Sequence, residues 1–261
     1  MSISNSNNDK KKFVILTQPR SGSYFFQSLL DSAEDIACHG EIFKADRVEL
    51  SDWYRKKLSI KKEDISERDK DPVIFLNRLR NLTPYKIFGF KAFNDHIQSR
   101  PVLKEYVLMS NDWKKIFLIR NPVYTYASLL RAKLSGKWVL KNDITNKDQL
   151  KQPIVFKRLE FDKHLKTYLG FISLYKSQST MYDHDCFLLQ YHQLENCEIL
   201  SKVLKFIGSS ADAFTLQSEY KKQFEGDISE SFSNFKELET YLIDIGCKEL
   251  LDSSSDYYQG K

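Results

Sequence analysis

Short apolar runs alternate along the chain with longer segments in which apolar residues recur at helical spacing. Four runs have the composition of buried strands and are predicted at residues 13–16, 85–93, 113–120 and 186–191. Five segments are predicted to form helices, at residues 24–33, 122–134, 155–175, 196–207 and 235–251. Strands that alternate with helices indicate βαβ units, so we expect an α/β fold with a parallel sheet covered by helices.

The remaining segments are more polar. Residues 47–80 are rich in charge and poor in strand signal, so we expect helices and loops packed over the sheet. Residues 1–12 are predicted to be a disordered tail, and residues 137–152 form a polar loop that is a candidate lid over an acceptor site. Because no internal repeat or linker interrupts the rest, we expect a single domain over residues 13–261.

The composition limits the classes of function that the protein can have. The chain has 261 residues, of which 41% are hydrophobic and 29% charged, as in a globular protein. Its net charge of +5 is compatible with nucleic acid, an anionic surface or a phosphorylated small ligand as partner, but no nucleic-acid-binding pattern is present. We find no signal peptide and no run long enough to span a membrane. The four cysteines lack metal-ligand spacing, so we expect no metal site and a reducing, cytoplasmic location. No feature indicates an oligomeric state.

The loop after the first predicted strand is a candidate anion site. Backbone N–H groups and the dipole at a helix N-terminus attract anions. Gly22 permits close backbone approach, Ser21 and Ser23 offer hydroxyl groups, and Arg20 supplies a guanidinium. The GxxxxGK[ST] pattern of a Walker A loop is absent, which argues against a magnesium-dependent kinase. A surface turn with a helix cap is the alternative interpretation of these residues.

A second candidate anion site follows the third predicted strand. Arg120 ends that strand, and Asn121-Pro122 starts the next helix with asparagine as the N-cap. Ser128 lies eight residues after Arg120, about two turns into this helix. Arginine binds phosphate through two parallel hydrogen bonds, so this junction also favours a phosphate. The alternative is that Asn-Pro only caps the helix and Ser128 is a small packing residue.

Together, these two segments resemble a known enzyme family. PRSGSYFFQSLLDS is similar to the 5′-phosphosulfate-binding loop of sulfotransferases that use 3′-phosphoadenosine-5′-phosphosulfate (PAPS), in particular the bacterial carbohydrate and nodulation-factor type. Arg120, Asn-Pro and Ser128 resemble the 3′-phosphate motif of the same family. The resemblance implies a P-loop-like sulfotransferase fold, PAPS as co-substrate, adenosine 3′,5′-bisphosphate as product and no metal requirement.

The resemblance also implies which residues bind the nucleotide. The predicted 5′-phosphosulfate site comprises Arg20, Ser21, Gly22, Ser23, Tyr24 and Phe25. Tyr24 is a departure, since the family usually has threonine or serine there, which puts a phosphate role of its side chain in doubt. Arg120 and Ser128 are expected to hold the 3′-phosphate. Tyr191 is expected beside the adenine, although a half-buried core tyrosine would be equally compatible with the sequence.

Sulfuryl transfer needs a base for the acceptor proton and cations for the departing phosphate. Glu41 resembles the catalytic glutamate of the nodulation-factor type and is the predicted base, with a surface carboxylate or an ion-pair partner as the alternative. His39 is the rival base, because the usual pKa of histidine suits that task. Arg20 and Lys91 are predicted to stabilise the leaving oxygen, although Lys91 could equally be a strand-end surface lysine.

The sequence therefore predicts a sulfotransferase that acts on the hydroxyl group of a carbohydrate or small natural product. A non-catalytic nucleotide-binding or polyanion-binding module and a kinase-like phosphotransferase are the alternatives. Because fold does not fix substrate, the acceptor itself stays open.

Overall fold

A computed structural model describes residues 10–138, 152–220 and 227–255 of the protein. Its centre is a five-stranded sheet in the order β2-β3-β1-β4-β5, with every neighbouring pair of strands parallel. The strands are β1 (Lys11–Thr17), β2 (Ile36–His39), β3 (Ile87–Phe93), β4 (Trp113–Ile119) and β5 (Cys186–Gln190). The predicted α/β class with a parallel sheet is confirmed.

Helices occupy most of the connections between the strands. The first five are α1 (Ser23–Asp31), α2 (Asp52–Leu58), α3 (Ile65–Lys70), α4 (Pro72–Leu82) and α5 (Asn94–Gln98). The next five are α6 (Pro101–Leu108), α7 (Pro122–Ser135), α8 (Arg158–Met181), α9 (Cys197–Ile207) and α10 (Phe235–Asp244). None of the described helices is long and apolar enough to cross a membrane.

The central strand β1 shows why its sequence is an unbroken apolar run. Phe13 and Ile15 pack into the core on one face of the sheet, whereas Val14 and Leu16 pack into the core on the other. All four side chains are fully buried. A parallel strand with helices on both faces needs apolar residues at every position, rather than at alternate ones.

The strand order creates a crevice between β1 and β4. The chain leaves β1 through α1 toward β2 at one edge of the sheet, whereas it leaves β4 toward β5 at the opposite edge. In open α/β sheets, ligands bind at such a switch point, beyond the carboxyl ends of the strands. Both predicted phosphate segments follow these two strands directly.

Several boundaries differ from the sequence-based expectation. The edge strand β2 was not predicted, because four residues with one long aliphatic side chain give little strand signal. β1 begins at Lys11, inside the segment expected to be a tail, and residues 1–9 lie outside the described residues. The long helix α8 is shifted toward the C-terminus, to Arg158–Met181. The last predicted helix ends at Asp244, because Gly246 adopts a left-handed conformation with φ of 69° before a short 3-10 helix.

Candidate active site

A cavity of about 610 Å³ opens at the carboxyl ends of the strands. The segment after β1 contributes Pro19, Arg20, Gly22, Ser23, Tyr24 and Phe25 to its wall. The segment after β2 contributes Glu41, Lys44, Ala45, Asp46 and Arg47. The remaining lining residues are Phe93, His96, Arg120, Ser128, Trp138, Tyr191 and Tyr220.

The loop between β1 and α1 is shaped to receive a ligand at its backbone. Gly22 has a φ of 79°, and a Cβ atom there would lie 2.5 Å from the ring of Tyr191. Only glycine therefore fits at this position. The N–H of Phe26 donates to the carbonyl of Gly22 at 3.1 Å and closes the first turn of α1. The preceding N–H groups have no acceptor within the helix, so the helix geometry leaves them available to an anion.

Two arginines meet beside this loop. The Nε of Arg20 donates to the Oγ of Ser128 at 3.0 Å, and a guanidinium nitrogen of Arg120 donates to the carbonyl of Arg20 at 2.9 Å. The Arg120 guanidinium also stacks over the ring of Tyr191, 3.9 Å from its centroid. Burial and the nearby Arg120 lower the pKa of Arg20 to about 10. Both guanidinium groups therefore stay protonated at neutral pH, which concentrates positive charge in one place.

The opposite wall holds a buried ion pair between Glu41 and Lys91. The Nζ of Lys91 lies 2.9 Å from the carboxylate of Glu41, and the two side chains are 0% and 3% exposed respectively. Burial lowers the pKa of Lys91, whereas Glu41 and Glu49 oppose this shift. The alternative interpretations of Glu41 and Lys91 as surface residues are therefore wrong. Glu41 is indeed an ion-pair partner, and it also lines the cavity.

Glu49 is a carboxylate behind this wall, and sequence analysis did not single it out. It accepts hydrogen bonds from the hydroxyl of Tyr24 at 3.0 Å and from the N–H of Glu41 at 3.4 Å. It also pairs with Lys44 at 3.3 Å and Arg47 at 3.2 Å. Burial acts in the opposite direction, but Lys44 and Lys91 lower the pKa of Glu49, which is therefore ionised at neutral pH.

The segment that carries Glu41 and Glu49 is held from behind by Arg68. This side chain is fully buried and donates to the carbonyl groups of Ile42, Lys44 and Arg47 at 2.9, 2.7 and 3.1 Å. The same guanidinium forms a two-point contact with Asp69, at 2.8 and 2.7 Å. A buried arginine that satisfies three carbonyls fixes a segment that has no regular secondary structure of its own.

The two histidines of this region have different surroundings. His39 is the last residue of β2, and its ring packs edge-on against Tyr54 at 4.5 Å between centroids. It is not among the residues that line the cavity, and burial lowers its pKa to about 4. His96 does line the cavity, and its Nδ1 accepts the N–H of Phe93 at 3.3 Å.

Comparisons with known proteins find solved structures with a similar fold and a relative with a similar sequence. A sulfotransferase from Alicyclobacillus acidocaldarius superposes with a TM-score of 0.50 at 12% identity, over 93% of this chain and 95% of its own. A mouse sulfotransferase, SULT7A1, complexed with PAP superposes with a TM-score of 0.49 at 14% identity, over 94% and 88% of the two chains. No protein-family model matches the chain. Nodulation protein H of Rhizobium tropici is 23% identical over 234 residues, which cover 88% of each chain.

The chain is therefore similar in sequence to Nodulation protein H, and it shares the fold of the Alicyclobacillus sulfotransferase. The resemblance inferred from the two motifs is supported by this similarity in sequence. The fold matches that of the Alicyclobacillus sulfotransferase, as the resemblance implied.

The fold gathers most of the predicted residues around one cavity. The predicted residues that line it are Arg20, Gly22, Ser23, Tyr24, Phe25, Glu41, Arg120, Ser128 and Tyr191. Ser21, His39 and Lys91 are not part of the lining, and Lys91 lies behind the ring of Tyr24. No group of three or more metal-ligating side chains occurs within the described ranges. Residues 139–151 of the predicted acceptor lid lie outside the described residues.

Proposed function

We propose that the protein is a sulfotransferase, which moves the sulfuryl group of PAPS to the hydroxyl of a carbohydrate or small natural product and releases adenosine 3′,5′-bisphosphate. The observation that carries the proposal is the pair of guanidinium groups of Arg20 and Arg120 at the ends of β1 and β4. Their recorded partners are hydroxyl and carbonyl oxygens and the ring of Tyr191. Among the described residues, no carboxylate neutralises either arginine, so the site favours a ligand with several negative charges.

The residues of the cavity fit such a nucleotide. Gly22 lets the ring of Tyr191 pack closely against the loop, and the start of α1 offers N–H donors there. We assign the 5′-phosphosulfate to Arg20, Ser21, Gly22 and Ser23, and the 3′-phosphate to Arg120 and Ser128. Tyr191, whose ring lies between Gly22 and Arg120, is assigned to the adenine side.

We assign the role of general base to Glu41. It lines the cavity, whereas the ring of His39 is packed among aromatic side chains outside the lining. The carboxylate of Glu41 takes the proton of the acceptor hydroxyl as that oxygen attacks sulfur. PAPS supplies the sulfuryl group, and its phosphate oxygen leaves with the bonding electrons. Arg20 supplies positive charge beside the departing group from the cavity lining, and Lys91 adds positive charge from behind the ring of Tyr24.

The aromatic residues of the cavity support an organic acceptor with an apolar face. Tyr24, Phe93, Trp138 and Tyr220 line the cavity together with Glu41. Sugar rings and phenols both present an apolar face next to hydroxyl groups, and they stack on aromatic side chains. This lining therefore supports a carbohydrate or small natural product as acceptor.

Nucleotide binding tests the proposal first. The melting temperature of the protein is measured with adenosine 3′,5′-bisphosphate and, separately, with ATP and magnesium. We expect the bisphosphate to raise the melting temperature, because binding to the native state stabilises it. Stabilisation by ATP with magnesium and none by the bisphosphate would instead favour the phosphotransferase alternative.

Measurements of turnover test whether Glu41 is the general base. A screen of sugars, phenols and peptide tyrosines with labelled PAPS identifies an acceptor, and Glu41→Gln is then compared with the wild type. We expect Glu41→Gln to lower kcat by about 100-fold or more while bisphosphate binding is retained. Glu160→Gln removes a carboxylate from an exposed pair with Lys157 and is the matched control. Unchanged turnover in Glu41→Gln would remove Glu41 as the base.

A further inference from the structure

Tyr24 occupies a phosphate-loop position but directs its side chain to the opposite wall of the cavity. It is the second residue of α1, yet its hydroxyl donates to Glu49 at 3.0 Å. Its ring covers the ammonium of Lys91, which lies 3.2 Å from the ring centroid. One side chain thus spans from the start of α1 to the Lys91–Glu41 ion pair.

Glu49 is the anchor of this connection. One of its carboxylate oxygens accepts from the hydroxyl of Tyr24 and from the N–H of Glu41, while the other accepts from Lys44 and Arg47. Its side chain is only 18% exposed. A carboxylate with four donors has a fixed orientation, so it can fix the orientation of the phenol as well.

We propose that Tyr24 and Glu49 act as one positioning pair that holds the Glu41–Lys91 ion pair in a fixed place relative to the phosphate loop. The proposal rests on the proposed function. It follows from connectivity, because Tyr24 has its backbone in the loop and its ring on Lys91, and Glu49 binds both the phenol and the backbone of Glu41. The two halves of the reaction centre come from different strands, and the pair joins them through two hydrogen bonds and a ring contact.

The pair also accounts for the departure from the family pattern at Tyr24. A phenol can donate one hydrogen bond, and Glu49 accepts it. The hydroxyl is therefore hydrogen-bonded to the opposite wall of the cavity. At this position the loop offers its backbone N–H to the ligand. Burial, Glu41 and Glu49 raise the pKa of Tyr24, so the phenol stays protonated and acts as a donor rather than as a base.

A double-mutant cycle on the full chain tests the pairing. Tyr24→Phe removes the hydroxyl and keeps the ring, Glu49→Gln removes the charge, and the double variant combines them. We expect each single variant to lower kcat by about 10-fold or more, because both remove the same connection, and the double variant to be no slower than the slower single one. Binding of adenosine 3′,5′-bisphosphate, measured by calorimetry, should change less than about threefold in all three.

The split between kcat and KM separates positioning from a general loss of structure. In both single variants the phosphate loop keeps its backbone, whereas the Glu41–Lys91 ion pair loses its connection to that loop. We therefore expect Tyr24→Phe and Glu49→Gln to lower kcat while the KM for PAPS changes less than about threefold. Tyr241→Phe removes another tyrosine–carboxylate hydrogen bond, to Asp162, outside the cavity lining and should match the wild type.

The outcomes are distinguishable. Losses of kcat that multiply in the double variant would overturn the pairing. Bisphosphate binding that is weakened by Tyr24→Phe alone would also overturn it, because the phenol would then be a phosphate ligand. Wild-type kcat in both single variants would overturn it too. Failure of the wild-type protein to bind the bisphosphate at all would defeat the proposed function instead.

Discussion

The ammonium of Lys91 and the carboxylate of Glu41 lie 2.9 Å apart, and both side chains are almost wholly buried. The register of the sheet explains their meeting, because His39 of β2 pairs with Phe90 of β3. Glu41 follows β2 by two residues, so it reaches the level of the last residues of β3, where Lys91 lies. The proposed base and a cation that is 50 positions away in the sequence are thus brought together by strand pairing.

Removing Lys91 should destabilise the protein strongly. In Lys91→Met, the charge of Glu41 stays buried without its partner, which typically destabilises by about 3–5 kcal/mol. We expect a loss of that size in the free energy of unfolding, measured by urea denaturation at pH 7, and partial recovery in Lys91→Met with Glu41→Gln. Lys114→Met breaks a similar pair with Asp185, at 2.8 Å but partly exposed, and should lose only about 1 kcal/mol. Equal losses in the two lysine variants would contradict the burial argument.

Gly22→Ala should abolish nucleotide binding. The added Cβ would lie 2.5 Å from the Tyr191 ring, on a backbone with φ of 79° that is unfavourable for alanine. We expect no stabilisation of the variant by adenosine 3′,5′-bisphosphate in thermal melts. Gly170→Ala is the matched control, since nothing lies within 4 Å of its added Cβ and it sits within α8. Gly170→Ala should stabilise the protein by up to about 1 kcal/mol. Normal bisphosphate binding by Gly22→Ala would show that the loop adapts to the added Cβ atom.

Arg68 should matter for both stability and turnover. Arg68→Met leaves the carbonyls of Ile42, Lys44 and Arg47 without their shared donor, so we expect a loss of about 2–5 kcal/mol in the free energy of unfolding. We also expect kcat to fall more than bisphosphate affinity, because the affected segment carries Glu41 but not the phosphate loop. Arg78→Met breaks an exposed pair with Glu67 and should change stability by less than about 1 kcal/mol. Equal losses in the free energy of unfolding of Arg68→Met and Arg78→Met would show that the segment is held by other contacts.

The sequence predicted those features of the molecule that depend on residues close together in the chain. The apolar runs located four of the five strands, and the local patterns around Arg20 and Arg120 located both loops at the cavity. Glu49 and Arg68 could not be found in this way, because their partners lie in other segments and residues 40–51 have no helical or strand period. The role of the Tyr24 ring was equally hidden, since only the fold places Lys91 beneath it.

His39 should make the protein less stable in acid. Burial lowers its pKa from 6.5 to about 4, so the unfolded chain takes up a proton at a higher pH than the native state does. Stability from this residue is therefore full above pH 6.5 and is lost as the pH falls toward 4, by about 3 kcal/mol at most. We expect His39→Phe to reduce this loss in urea denaturation series at pH 7, 6, 5 and 4. If Glu41 is the base, the variant also keeps its kcat at pH 7. A large loss of kcat in a folded, bisphosphate-binding His39→Phe would restore His39 as the base.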